Sequence, residues 1–284
     1  MKYRASVVYL TKNGGELLKG SLASVFLQKT NFAFEVIAVD SGSTDATMET
    51  LREYAVTIYT IAPEKFNFGR TRDYGFELAQ GEIVVVLSQD AQPVGDSWLQ
   101  NIVNPFQDVS VAVVQGGSAI PARNGLFFWD TIGLFYYTRD AQQWLKLYNN
   151  IGLSFTNCAI RRSVWIENKI GEIEMSEDKY FQKKIVARGY KILLQKSAYV
   201  AHAHSYSCQS LRKRCENEGL GLRAVGMRYS LFDMIKDMLN IKIWIIFILA
   251  LSQFKIKEPA EVMFPIIRPL FLFRGNKFLK KYVS

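Results

Sequence analysis

The sequence predicts an α/β protein, a mixed and mostly parallel sheet with helices on both faces, followed by a C-terminal helical and basic extension. Three observations predict it. Short runs rich in Val and Ile alternate with stretches of helical spacing through the first half; small polar clusters follow several of those runs; and the last fifty residues interleave apolar and basic side chains. A chain of 284 residues that is 49% hydrophobic and 21% charged is long and apolar enough to bury a core, which excludes a disordered chain.

Residues 5–10, 35–40, 56–61, 83–87 and 111–115 have the length and composition of strands buried on both faces. Between them, residues 16–27, 45–54, 70–80 and 97–106 have helical spacing. In such sheets ligands gather beyond the carboxyl ends of the strands. The polar clusters Thr11-Lys12-Asn13-Gly14-Gly15, Asp40-Ser41-Gly42-Ser43-Thr44-Asp45 and Ser88-Gln89-Asp90-Ala91 fall there. Residues 116–150 are aromatic, with Phe127, Phe128, Trp129, Phe135, Tyr136, Tyr137 and Trp144; a helical cover packed on the sheet and a binding groove are the two readings. The acidic run Glu172 to Asp178 then leads into a helix ending near Arg188, a strand over 191–195 and His202-Ala203-His204.

The net charge of +9 is unevenly placed: residues 1–180 carry 16 basic and 20 acidic side chains, residues 181–284 carry 19 and 6. Residues 241–254 are apolar almost all round yet short of the roughly 20 a helical span needs. Flanked by Lys236, Lys242, Lys255 and Lys257, and followed by a basic apolar tail, they suit a segment lying in a membrane interface with Trp244, Phe247 and Phe271 below the headgroups; a core-facing helix pair is the other reading. The chain divides on this view into residues 1–207 and a C-terminal extension, 208–284. Basic residues that alternate with long apolar runs match no nucleic-acid module, so nucleic acid is not expected as a partner. Cys158, Cys208 and Cys215 lack any C-x-x-C spacing and read as reduced thiols; with no secretory signal pattern at the start, the cytoplasm is the expected compartment.

Asp40 ends a strand, and the small residues after it suit a tight turn beside a ligand and entry to a helix capped by Thr44 or Asp45. A carboxylate there can accept from a base N–H or a ribose hydroxyl. Asp90, projecting from a buried strand end, requires a partner, and a divalent cation is one. Glu177 and Asp178 open a helix, where the helix dipole favours a carboxylate. His202 and His204 are the only histidines and face the same side of an extended segment. Neither a G-x-x-x-x-G-K-[ST] phosphate loop, nor G-x-S-x-G, nor H-E-x-x-H is present.

Over roughly residues 7–207 the chain resembles the family-2 glycosyltransferases of GT-A fold, and within them the bacterial rhamnosyltransferase-like branch. The resemblance is carried in order by VVYLTKNGG, VIAVDSGSTD, FNFGRTRDYGFELAQGEIVVVLSQDAQP with Trp98 after it, FTNCAIRRSVW, SEDKYFQKKIVARGYKI and VAHAHSY. It implies an inverting transferase that moves a sugar, L-rhamnose from dTDP-rhamnose in this branch, to a hydroxyl of a cell-surface polysaccharide or lipid-linked glycan. The enzyme would work at the cytoplasmic face of the inner membrane. A UDP- or GDP-sugar donor, or an inactive sugar-nucleotide-binding homologue, are the alternatives. By resemblance Thr11, Asp40, Gly69, Arg70 and Gln89 bind the donor, with Arg72 able to replace Arg70 at the diphosphate. Asp90 stands for the last aspartate of the metal motif, His204 or else His202 completes the site for Mn2+ or Mg2+, and Asp178 is the general base. The chain departs from the family pattern at Ser88 and Gln89, where acids are common, at Phe68, often histidine, and at Asp73, often asparagine.

Overall fold

In the computed structural model, which describes residues 2–121 and 125–282, the strands are β1 (Ala5–Thr11), β2 (Phe34–Asp40), β3 (Val56–Thr60), β4 (Ile83–Leu87), β5 (Gln92–Pro93), β6 (Val113–Ala119), β7 (Asn157–Arg161) and β8 (Ile192–Ala201). They form one sheet in the order β3-β2-β1-β4-β7-β6-β8-β5. The β3-β2-β1-β4 half is parallel, β7 runs antiparallel to both β4 and β6, and β6 pairs parallel with β8. Helices α1 (Gly15–Phe26), α2 (Thr47–Arg52), α3 (Phe68–Leu78) and α4 (Trp98–Val103) lie in the first part of the chain. They are followed by α5 (Phe128–Thr131), α6 (Arg139–Leu147), α7 (Arg162–Glu167) and α8 (Glu177–Ala187), and then by α9 (Cys208–Ala224), α10 (Leu231–Met238), α11 (Ile241–Ser252) and α12 (Pro259–Phe278).

The chain forms two compact units, one of Met1–Pro121, Leu153–Ile173 and Glu177–His202, the other of Ala122–Gly152, Glu174–Ser176 and Ala203–Ser284. In the first, successive residues of a strand point to opposite faces and both faces are covered. Val7, Tyr9 and Val85 pack with Leu18 and Leu22 of α1 and Trp98 of α4. Val8, Val84 and Val86 pack with Phe76 of α3, Trp165 of α7 and Phe181 of α8. That double burial is why these strands read as unbroken apolar runs.

Four local expectations change. β3 is half exposed, since it is an edge strand with one neighbour. Helix α4 stops at Val103 because Pro105 follows, and a 3-10 turn over Asn104–Gln107 takes its place. The strand read at 111–115 begins two residues later and runs to Ala119; the one read at 191–195 runs to Ala201. Its continuation, Gln195-Lys196-Ser197, is polar because β8 is largely exposed there. β5 and β7 were not expected as strands at all.

The aromatic middle segment is packing: Phe127, Phe128, Trp129 and Phe135 join Leu211, Phe264 and Phe271 in the core of the second unit. Helix α12 is the axis of that core. Its interior holds Pro265 and Pro269, each of which lacks an N–H and so frees the carbonyl four residues before it. Both freed carbonyls are satisfied from the middle segment, Glu261 O by the Trp129 indole at 2.8 Å and Pro265 O by the Tyr137 hydroxyl at 3.3 Å. The Glu261 carboxylate also accepts from Phe128 N at 2.6 Å. Glycines let α12 lie directly against α9: a Cβ on Gly275 would stand 1.9 Å from Glu216 O, and one on Gly219 2.2 Å from Leu272 O. Arg268 of α12, fully buried, pairs with Glu218 of α9 at 2.8 Å and lies over the Phe135 ring. Phe271 is therefore a core residue of this unit. Among the described residues no helix is long and apolar enough to cross a membrane.

Trp129→Phe keeps the packing but leaves Glu261 O buried and unpaired, and is expected to lower unfolding free energy by about 1–3 kcal/mol in urea titrations. An unchanged midpoint would show that the freed carbonyl carries no such penalty.

Candidate active site

The parallel strands place the carboxyl ends of β1 and β2 side by side, with Thr11 opposite Asp40. Both are 2% exposed. Asp40 Oδ1 accepts from the N–H groups of Gly42 and Ser43 at 2.9 Å each, while Oδ2 accepts from Thr11 Oγ1 at 3.0 Å and from the Ser43 hydroxyl. The turn these bonds hold needs Gly42, whose φ is +86° and whose Cβ would fall 2.5 Å from the Pro63 ring. Asn13, itself at φ 49°, donates its N–H to Ser43 Oγ at 2.9 Å and accepts from Thr44 N at 2.8 Å. Thr44 is thus no helix cap; α2 begins at Thr47, whose N–H donates to Asp45 at 3.0 Å.

Gln89, after β4, brackets the β1 loop: its carbonyl accepts from Lys12 N at 3.0 Å and its amide donates to Lys12 O at 3.1 Å. A Cβ on Gly14 would approach the same side-chain oxygen to 3.0 Å. What Gln89 contributes in this structure is the position of that loop. Beside it, Asp90 accepts from the Ser88 hydroxyl, and its Oδ1 lies 3.4 Å from His202 Nε2 at the end of β8. The pair is partly buried, with side chains 24% and 16% exposed. His204, two residues on and in the second unit, has Nδ1 3.6 Å from Asp130. A carboxylate oxygen and an imidazole nitrogen wider apart than an ordinary hydrogen bond form a donor set of the kind that divalent manganese or magnesium accepts.

The start of α3 is built against residues 170–173. Asn67 caps it, its side-chain oxygen accepting from Arg70 N and from Ile173 N at 3.1 Å each, while Gly69 N donates to Ile173 O at 3.0 Å. A Cβ on Gly69 would meet Gly171 O at 2.2 Å, so Gly69 serves close backbone approach. Asp73 secures the same segment: Oδ1 accepts from Trp165 Nε1 and Ile170 N, Oδ2 from Gly171 N. Three N–H donors and no acceptor face it, which explains an acid where asparagine is common.

The two arginines differ. Arg70 is half exposed and 3.8 Å from Glu172. Arg72 is buried, its Nε 3.4 Å from Glu177 Oε1, its Nη1 without a hydrogen-bond partner among the described residues. Glu177 is the first residue of α8, and burial, reinforced by the adjacent Asp178 charge, pushes its carboxyl above the ordinary carboxylate range against the pull of Arg72. Asp178 is partly exposed and accepts from Lys179 N at 2.7 Å. Its charge also helps raise the buried Cys158 thiol, behind the larger effect of burial, and Cys158 pairs with Val86 near the end of β4. Sequence reasoning missed the Arg72–Glu177 pair and Asn67 as the cap. The cap alone had a local signal, an asparagine just before a helical run.

The model of glycosyl transferase family 2 matches residues 6–168. The chain is 31% identical over 215 residues to an O-antigen chain rhamnosyltransferase of Salmonella anatum, covering 71% of this chain and 67% of that protein. It is 27% identical over 219 residues to an O-antigen chain rhamnosyltransferase of Salmonella typhimurium, with 72% and 68% covered. Among solved structures, glucosyl-3-phosphoglycerate synthase from Mycobacterium tuberculosis in complex with UDP superposes with a TM-score of 0.60 at 16% identity, over 80% of this chain and 82% of that one. A mannosyltransferase from Pyrobaculum calidifontis in complex with GDP-Man and Mn2+ gives 0.55 at 17%, over 96% and 70%. These two similarities show the fold.

Asp73→Asn turns one acceptor into a donor facing an N–H, and is expected to cost about 1–3 kcal/mol in unfolding free energy. A thermal melt indistinguishable from that of the parent would mean that the three bonds do not hold the 165–171 segment.

Proposed function

The chain belongs to glycosyl transferase family 2, and from that premise we propose that it transfers L-rhamnose from dTDP-β-L-rhamnose to a hydroxyl of a cell-surface glycan, with inversion at the anomeric carbon. What supports the site is that the buried Thr11–Asp40 turn and Asp90 with His202 follow the carboxyl ends of the neighbouring parallel strands β1, β2 and β4. The nucleotide would lie over the turn that Asp40 shapes, with Lys12 and its loop held by Gln89. Rhamnose as the sugar is supported by what the two Salmonella relatives are named to transfer.

Asp178 takes the proton of the acceptor hydroxyl as that oxygen forms its bond to the anomeric carbon. The bond from that carbon to the phosphate oxygen breaks on the opposite face, and dTDP leaves with the electron pair. Arg70 offers a planar fork to the phosphate oxygens, and the spare Nη1 of Arg72 is a second donor beside α8. Arg72 also holds Glu177, which fixes the first turn of α8 and so the place of Asp178. Asp90 and His202, with His204 following in the chain, are the residues that would hold a divalent cation. Such a cation supplies charge stabilisation for the departing diphosphate. The acceptor is a polysaccharide or lipid-linked glycan, and the enzyme works peripherally at the cytoplasmic face of the inner membrane.

The test is a thermal-shift panel of dTDP-, UDP- and GDP-sugars with and without Mn2+, since a bound donor stabilises the folded state by mass action. The largest shift is expected with dTDP-rhamnose and Mn2+; a larger shift with another nucleotide sugar would replace the donor assignment. Asp178→Asn is expected to keep the donor shift and to lose transfer by about 100- to 10,000-fold. Undiminished turnover in that variant would remove Asp178 as the base. His202→Ala is expected to abolish the Mn2+-dependent part of the shift, whereas the same loss from His204→Ala alone would move the ligand to His204.

A further inference from the structure

Helices α10 and α11 turn apolar stripes to solvent. On α10, Leu231, Phe232, Ile235 and Leu239 are 44–69% exposed; on α11, Ile241, Ile245, Ile248 and Leu249 are 53–74% exposed. Each set lies at helical spacing on one face. The expected anchors are not these: Phe271 is core, and Trp244 is partly buried with its indole donating to Met238 O at 2.6 Å.

Phe254 is the sharpest feature of this surface. It follows the C-cap of α11 in the left-handed region, φ 56°, with its own N–H on Leu251 O at 3.1 Å and that of Lys255 on Ala250 O at 2.9 Å. This double bond pattern ends helices at a position that favours glycine. Here a phenylalanine bears the backbone strain and is also 83% exposed. Both features are unfavourable in the isolated fold, and strain of this kind persists at functional places. Beside it a groove of about 680 Å³ is lined by Phe128, Ile246, Leu249 and Phe254, with the exposed Lys255 and Lys257 in its wall.

The charges select the partner. From Asn240 to Lys257 the chain has Lys242, Lys255 and Lys257 and no acidic residue. On α10, Asp237 is buried while Lys236 is exposed over the Phe232 ring at 4.2 Å. A second copy of the same surface would set lysines against lysines. An anionic bilayer meets apolar side chains with hydrocarbon and lysines with headgroups.

We propose that the exposed faces of α10 and α11, with Phe254 as the inserting side chain, Lys255 and Lys257 beside it and Lys236 and Lys242 elsewhere on these helices, dock this protein on an anionic lipid surface. This rests on the peripheral-membrane reading above and names the surface that performs it. Flotation of the full chain with phosphatidylglycerol/phosphatidylcholine vesicles, against pure phosphatidylcholine, tests it at low and physiological salt. The wild type binds the anionic vesicles, more tightly at low salt. Phe254→Gly melts at or above the wild-type temperature, because glycine relieves the strained φ, yet binds these vesicles about tenfold more weakly. Lys255→Gln with Lys257→Gln removes the preference for anionic over neutral vesicles. Wild-type binding matched by Phe254→Gly would put the docking surface elsewhere while leaving membrane association standing. Absence of wild-type binding to any vesicle would overturn both. A wild-type dimer that Phe254→Gly dissociates, with vesicle binding unaffected, would assign the surface to a second copy.

Discussion

The carboxylate of Asp40 accepts four hydrogen bonds from Thr11, Gly42 and Ser43 while being almost wholly removed from water. Such a group is tolerable in the interior only because both of its oxygens are satisfied, and satisfying them dictates the path of two loops. Ser43, once held by Asp40, receives the N–H of Asn13; Asn13 in turn receives Thr44 N. Gln89 closes the arrangement from the third strand by clasping Lys12 on both sides. Loops after parallel strands are ordinarily variable, yet here three of them are cross-tied.

The same economy of backbone approach recurs around α8. Gly69 lets α3 touch the segment that Asp73 and Asn67 hold, and Arg72, four residues after Phe68 at the start of α3, reaches Glu177 at the head of α8. The buried ion pair is not an argument for stability, since desolvation offsets most of its attraction. Its consequence is positional: it joins α3 to the residue preceding Asp178. The three residues that bear on the phosphate and the acceptor in the proposed chemistry are thereby connected through covalent neighbours and one guanidinium.

The second unit solves a different problem. Two prolines inside α12 release carbonyls, and the aromatic middle segment returns to bond them, which makes that segment part of the unit although it is distant in sequence. With α12 buried by this exchange, the apolar surplus of the C-terminal region appears on α10 and α11 instead. Four of the 19 basic residues of 181–284 accompany it there, Lys236, Lys242, Lys255 and Lys257.

By itself the sequence determined the α/β class, the parallel half of the sheet and the polar clusters at its carboxyl edge. Strands buried on both faces must be continuously apolar, and the loops after them must be polar, so both signals are local. It also determined Thr11, Asp40, Asp90 and Asp178 as candidates, through motifs whose residues sit close together in the chain. Only the tertiary structure decided that Gly69 serves backbone contact, that Gln89 braces a loop and that Asp73 is held by three N–H groups, because each depends on partners about 80 to 100 residues away. For the same reason β5, β7 and the polar part of β8 were invisible beforehand: a strand defined by its neighbours need not be apolar. The burial of α12 was likewise legible only in three dimensions, since the freed carbonyls of Glu261 and Pro265 find their donors more than 120 residues back along the chain.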